Sequence, residues 1–204
     1  MAIGCQTLVN SVSGQRNVAI GTTSLYNTNS SYNIAIGYQA GYDLKGGNTI
    51  AIGNNALIGW DGASGYPFLT NTNYNVVIGD TAAQQTNSAY NVVIGALTLT
   101  ANTVGCNNTI IGYKAGSSLT GSNSVHIGYM AGSLEKNGNT LYIHNSNSTV
   151  PLIYGNFSSS SLTINGSVNI TGTISANGVS GISTTATMGT KVATFTNGLL
   201  TSLL

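Results

Sequence analysis

Asn17-Val18-Ala19-Ile20-Gly21 decides how this chain folds, because it returns. The same places read Asn33-Ile34-Ala35-Ile36-Gly37, Thr49-Ile50-Ala51-Ile52-Gly53, Asn75-Val76-Val77-Ile78-Gly79 and Asn91-Val92-Val93-Ile94-Gly95. They then read Thr109-Ile110-Ile111-Gly112 and Ser124-Val125-His126-Ile127-Gly128. A partial copy, Ala2-Ile3-Gly4, comes first, and Thr140-Leu141-Tyr142-Ile143-His144 comes last with His in the Gly place. Measured from Gly4 to His144, seven of the eight steps are 16 or 17 residues. The eighth, from Gly53 to Gly79, is 26 residues, so one unit carries a ten-residue insertion within 54–74.

The run before each Gly is short and β-branched, which suits a strand. The residue before the Gly is always Ile: Ile20, Ile36, Ile52, Ile78, Ile94, Ile111, Ile127 and Ile143, with Ile3 in the partial copy. It shares a strand face with the residue two places earlier, while the residue between them, Ala19 to Ile110, faces the other way and is also apolar. Gly21, Gly37, Gly53, Gly79, Gly95, Gly112 and Gly128 turn the chain. The small residue three places on (Ser24, Ala40, Ala56, Ala82, Thr98, Ala115, Ala131) fits a crowded inner corner. Sixteen residues are too few for a helical repeat or a propeller blade. They suit one coil of a parallel β-solenoid, with two short strands and two turns per coil. The expected fold is all-β, with an Ile ladder inside, an amide-to-amide Asn ladder at the turn, and a rod on the order of 40 Å long.

Composition narrows the function. Gly, Asn, Thr and Ser make up half of the 204 residues, and Asp, Glu, Lys and Arg only 4%. Five cations and a net charge of +1 cannot build a phosphate-neutralising face, so nucleic acid is not an expected partner. No apolar run approaches 18 residues, so membrane insertion is not expected. Four scattered acids, Asp43, Asp61, Asp80 and Glu135, show no pairing for general acid–base work, and the expectation is no enzyme, no cofactor and no metal. His126 and His144 read as solvated or ladder-substituting residues, and Cys5 and Cys106 as free, buried thiols too far apart to bridge.

The motif Asn-x-Val-Ala-Ile-Gly-x-x-Ser resembles the head repeat of trimeric autotransporter adhesins, and the same repeat in bacteriophage tail-fibre proteins. The resemblance covers residues 1–144 and implies a left-handed β-roll (β-solenoid) whose chains associate as homotrimers. Adhesin heads commonly use slightly shorter coils. The stretch from Leu141-Tyr142-Ile143-His144 through Pro151-Leu152-Ile153-Tyr154-Gly155-Asn156-Phe157 to Leu162-Thr163-Ile164-Asn165-Gly166 is similar to the part below the roll in many phage fibres. That likeness implies an intertwined trimeric β-rich region over 145–176. A linker over 177–190 and a terminal β-hairpin over 191–204, turning at Asn197-Gly198, complete the expected organisation.

Together these imply a receptor-binding, structural tail fibre of a virion, located on the virion surface or extracellularly. Its expected partners are itself, other virion proteins, and a host surface glycan or protein. The insertion carries the only Trp, with Trp60, Asp61, Tyr66 and Phe68 as the candidate receptor-binding residues, since aromatic rings on a projecting loop suit host attachment. Tyr74 with Tyr90, and Tyr113 with Tyr129, are expected to form short aromatic ladders. Two alternatives are a filament of trimers stacked end to end and a bacterial adhesin head fragment.

Overall fold

The computed structural model describes residues 1–59 and 72–171 in full, and the backbone of five strands within 172–204. Two units are present, Met1–Asn165 and Gly166–Leu204. The first is a parallel β-solenoid of about eight coils, and no helix occurs among the described residues.

Each coil contributes one strand of three or four residues, apart from the two-residue first strand. These are β1 (Ala2–Ile3), β2 (Val18–Ile20), β3 (Ile34–Ile36), β4 (Ile50–Ile52), β5 (Val76–Ile78), β6 (Val92–Ile94), β7 (Thr109–Ile111), β8 (Val125–Ile127) and β9 (Thr140–Ile143). Neighbours pair in parallel and in register, so Ile20 lies beside Ile36 and Ile36 beside Ile52. The insertion does not disturb this, since Ile52 pairs with Ile78. After β9 the chain reverses, and β10 (Ile153–Asn156) and β11 (Ser161–Ile164) extend the same sheet antiparallel.

The expected second strand of each coil is replaced by turns. Past the Gly, the residues two and four places on have positive φ, as at Thr23 (55°) and Leu25 (46°), or Leu97 (56°) and Leu99 (53°). A third such residue precedes each strand, as at Tyr74 (57°) and Asn107 (58°). An L-residue held there costs about 1–2 kcal/mol. Hydrogen bonds between coils offset part of that: Gln39 N–H donates to Thr22 C=O at 3.0 Å and Leu25 N–H to Ala40 C=O at 3.0 Å. Each bond is worth only about 1 kcal/mol net, so this wall needs the core behind it.

The core overturns the expected facing of the strand. The middle residues Ala19, Ala35, Ala51, Val77, Val93, Ile110 and His126 are fully buried, and the residues on either side, mostly Val and Ile, stand on the outer face. The interior is narrow, because the opposite wall fills it with Leu25, Leu57 and Leu99. Where that wall has Gly41 or Gly116, a leucine three places on, Leu44 or Leu119, takes the space. The expected small corner residues, Ser24 through Ala131, are all buried.

The turn Gly is required on two counts. Gly53 has φ +136°, and a Cβ there would lie 2.3 Å from the carbonyl oxygen of Gly79 one coil on. The Asn ladder runs from side chain to backbone. Asn75 Oδ1 accepts from Asn91 N–H at 2.8 Å, and Asn91 Oδ1 from Asn108 N–H at 3.0 Å. The Nδ2 groups turn instead to the corner, Asn75 donating to Ser88 C=O at 2.8 Å. Amide-to-amide contacts occur in a separate exposed column, Asn107 to Asn123 to Asn139.

In the second unit, β12 (Ser175–Ala176) pairs antiparallel with β13 (Val179–Ser180). A further sheet has the order β14 (Thr184–Met188), β15 (Lys191–Thr196), β16 (Leu199–Leu203), all antiparallel. The segment 177–190, expected as a linker, thus contains β13 and β14.

Candidate functional site

The outward side of the sheet is a continuous aliphatic stripe. One column holds Ile20, Ile36, Ile52, Ile78, Ile94, Ile111, Ile127 and Ile143, and the register of β10 and β11 continues it through Ile153 to Ile164. The second column runs from Val18 through Val76 and Val125 to Leu141 and Leu162, interrupted by Thr109 and Gly155. Most of these side chains are half-buried by their ladder neighbours, Ile34 and Ile127 are each 37% exposed, and Leu162 and Ile164 at the β11 end are exposed. Strand spacing makes the stripe about 50 Å long and on the order of 500 Å². That is the upper range for the largest apolar patch of a monomer.

Two exposed columns flank the stripe. Before the strand stand Tyr32, Tyr74 and Tyr90, and after the Gly stand Tyr38, Tyr113 and Tyr129. Tyr74 and Tyr90 stack with centroids 5.2 Å apart, and Tyr113 and Tyr129 at 5.5 Å, as the repeat predicts. A third pair on the turn wall, Tyr26 and Tyr42, stacks at 5.0 Å and goes beyond the two expected ladders. Stacking takes up one face of each ring within a pair. The flanks carry little charge: Arg16 lies over the ring of Tyr32, Lys114 over that of Tyr113, and Asp80 bonds Asn54.

Trp60, Asp61, Tyr66 and Phe68 lie outside the described residues. Across the insertion, Gly46 N–H donates to Thr72 Oγ1 and Gly47 N–H to Asn73 Oδ1, which keeps the coils on either side joined. Asp43 in the preceding turn is buried and paired with Lys45 at 2.7 Å, with its Oδ2 unpartnered.

The stripe ends in an open apolar groove of about 650 Å³ lined by Ile127, Ile143, His144 and Leu152. His144, in the Gly place, accepts from Leu152 N–H through Nδ1 at 3.1 Å, fastening the reversal into β10. Inside the same end, His126 Nε2 lies 3.0 Å from Thr140 Oγ1, and its ring meets Tyr142 edge-on at 4.9 Å. The Tyr142 hydroxyl donates to Glu135 Oε2 at 2.9 Å. Burial, and then the bond to Glu135, push that hydroxyl well above its ordinary range. Burial acts to raise the Glu135 carboxyl, but the N–H groups of Asn137 and Lys136 and the Tyr142 hydroxyl together hold it below its ordinary value.

Among the described residues no group of three His, Cys, Asp or Glu could hold a metal, and no helix is long and apolar enough to cross a membrane. Cys5 and Cys106 are free, but Cys5 is exposed and Cys106 half-buried, where both were expected to be buried. Comparison with family models, curated proteins and solved structures gave no match.

Proposed function

We propose that the chain is a non-enzymatic structural module of a fibre, in which three copies associate side by side through their aliphatic stripes and present the rod to a surface. The observation that carries this is the uncovered stripe from Ile20 to Ile164, a sheet face as apolar as a core face but left outside. A regular β-sheet face of this size is stabilised by burial at about 25 cal/mol per Å². The resemblance of the repeat to phage tail-fibre and adhesin heads supports three as the number and host attachment as the role, with a phage virion fibre the favoured setting. The insertion, with Trp60, Asp61, Tyr66 and Phe68, is then the expected point of contact with a host glycan or protein.

The test is the native mass of the unboiled chain by light scattering on a sizing column. Three times the 20.8 kDa of one chain is expected. A monomer would overturn the assembly. A ladder of larger multiples would favour trimers stacked end to end, a reading that the fully exposed strand β11 also favours.

A further inference from the structure

One side chain in the core does not belong to the pattern around it. The inner column runs Ala19, Ala35, Ala51, Val77, Val93, Ile110 and then His126, a titratable residue with no exposed surface. Its ring lies on a bed of glycine. A Cβ at Gly132 would lie 2.4 Å from His126 Nδ1, and one at Gly116 would lie 3.3 Å away. Nε2 faces Thr140 Oγ1, which in turn lies 3.2 Å from Ser124 Oγ. Nδ1 has no partner. A neutral imidazole fits this place, since one nitrogen meets a hydroxyl and the other needs no proton. An imidazolium does not, since Nδ1–H would become a buried, unsatisfied, charged donor.

We propose that His126 makes the closing end of the solenoid, β8 to β11, an acid-released latch, while the coils before it stay closed. The neighbours decide this. β7 offers Ile110 and the preceding turn offers Gly116, neither of which titrates. The turn after β8 offers Glu135, with Lys136 exposed beside it, and β9 offers Tyr142, with Tyr154 of β10 edge-on to that ring at 5.2 Å. Glu135 is the one group whose charge would favour a cation at His126, but its oxygens are already held by Tyr142 and two backbone N–H groups. Burial accordingly dominates and lowers the His126 pKa from 6.5 to about 4. The earlier coils have only Ala, Val and Ile in this column, so acid finds no group to charge there.

The sign follows from proton binding. The opened chain takes up a proton below its ordinary pKa of 6.5 and the closed chain only near 4, so opening gains as pH falls from 6.5 toward 4. The opening constant rises about 100-fold across that window.

The test is hydrogen exchange on the full chain at pH 7 and pH 4, corrected for intrinsic rates and read by peptide. Selective loss of protection over 124–164, with 18–40 and 82–99, which contain no Asp, Glu or His, unchanged, is expected. In the variant His126→Val, which repeats the residue type of Val77 and Val93 in the same column, that acid loss disappears. His144, whose Nδ1 accepts from Leu152 N–H, is the other histidine at this end, so His144→Asn is the control and retains the acid loss. The titration of the His126 imidazole by NMR in the unaltered chain gives a reading that needs no variant. A buried imidazole that titrates at its ordinary value, or acid loss that persists in His126→Val, would overturn the proposal.

Discussion

Asn91 holds Asn108 through one bond and is held by Asn75 through another: its Oδ1 accepts from Asn108 N–H at 3.0 Å, while its own N–H donates to Asn75 Oδ1 at 2.8 Å. This coil is thereby tied to both neighbours at the corner before the strand. Truncating Asn91 to Ala leaves a buried N–H on Asn108 unsatisfied, which costs about 1–3 kcal/mol. Asn91→Thr costs less, since Thr49 occupies the same column and Asn75 N–H lies 3.3 Å from its Oγ1. Urea unfolding of both variants checks the order.

The two faces of one strand give opposite results. Val77 is fully buried and Ile78 beside it is not. Val77→Ser is expected to destabilise the fold by about 1–3 kcal/mol, with assembly lost only through unfolding. Paired Ile78→Ser and Ile94→Ser substitutions are expected to leave the circular dichroism spectrum intact and lower the native mass. An unchanged mass would show that the stripe is not the contact.

Glycines in the coil are not equivalent. At Gly53 an Ala side chain meets a carbonyl oxygen at 2.3 Å, backbone against backbone, and cannot be relieved. At Gly41 it meets Leu25 Cδ2 at 3.0 Å, the far end of a flexible side chain, and Ala83 already occupies the equivalent place with φ 49°. Gly53→Ala is expected to cost about 3 kcal/mol or more and Gly41→Ala about 1 kcal/mol or less. Thermal melts of the two variants separate these.

Tyr142 carries an alkaline counterpart to the acid effect. Its raised pKa means that the unfolded chain ionises first, so its contribution is intact below pH 10 and lost as pH rises above it. An ultraviolet titration is expected to show a late tyrosine phase that appears only as the chain unfolds. Tyr142→Phe removes that late phase.

The period, the strand positions and the turn Gly were legible because each recurs at a fixed place. The facing of the strand was not. Ala19 looks like filler between Val18 and Ile20, and large aliphatics ordinarily mark the inside. In so narrow a coil the rule inverts, because Leu25 and Leu57 reach across from the other wall and leave room only for Ala or Val. The covariation of Gly41 with Leu44 and Gly116 with Leu119, against Leu25 with Thr28, was the available signal for that wall. Its left-handed backbone had only a partial signal: Gly41, Gly116, Gly132 and Asn55 stand at such positions, but Thr23, Leu25, Gln39, Lys114 and Met130 fill others that usually announce themselves with Gly or Asn. The candidate contact residues in the insertion were legible only as an interruption of the period.

The bonds between coils also determine how the rod bears a load. They lie along its axis, one coil linked to the next, so tension applied at the two ends passes through every step in turn. Strength is then set by the weakest step, and adding coils lengthens the tether without toughening it. The bond from each turn residue to the preceding Ile carbonyl measures 2.7–2.8 Å from Gly21 to Gly128 and 3.1 Å at His144. Among the parallel steps, the one into β9 therefore has the longest of these bonds.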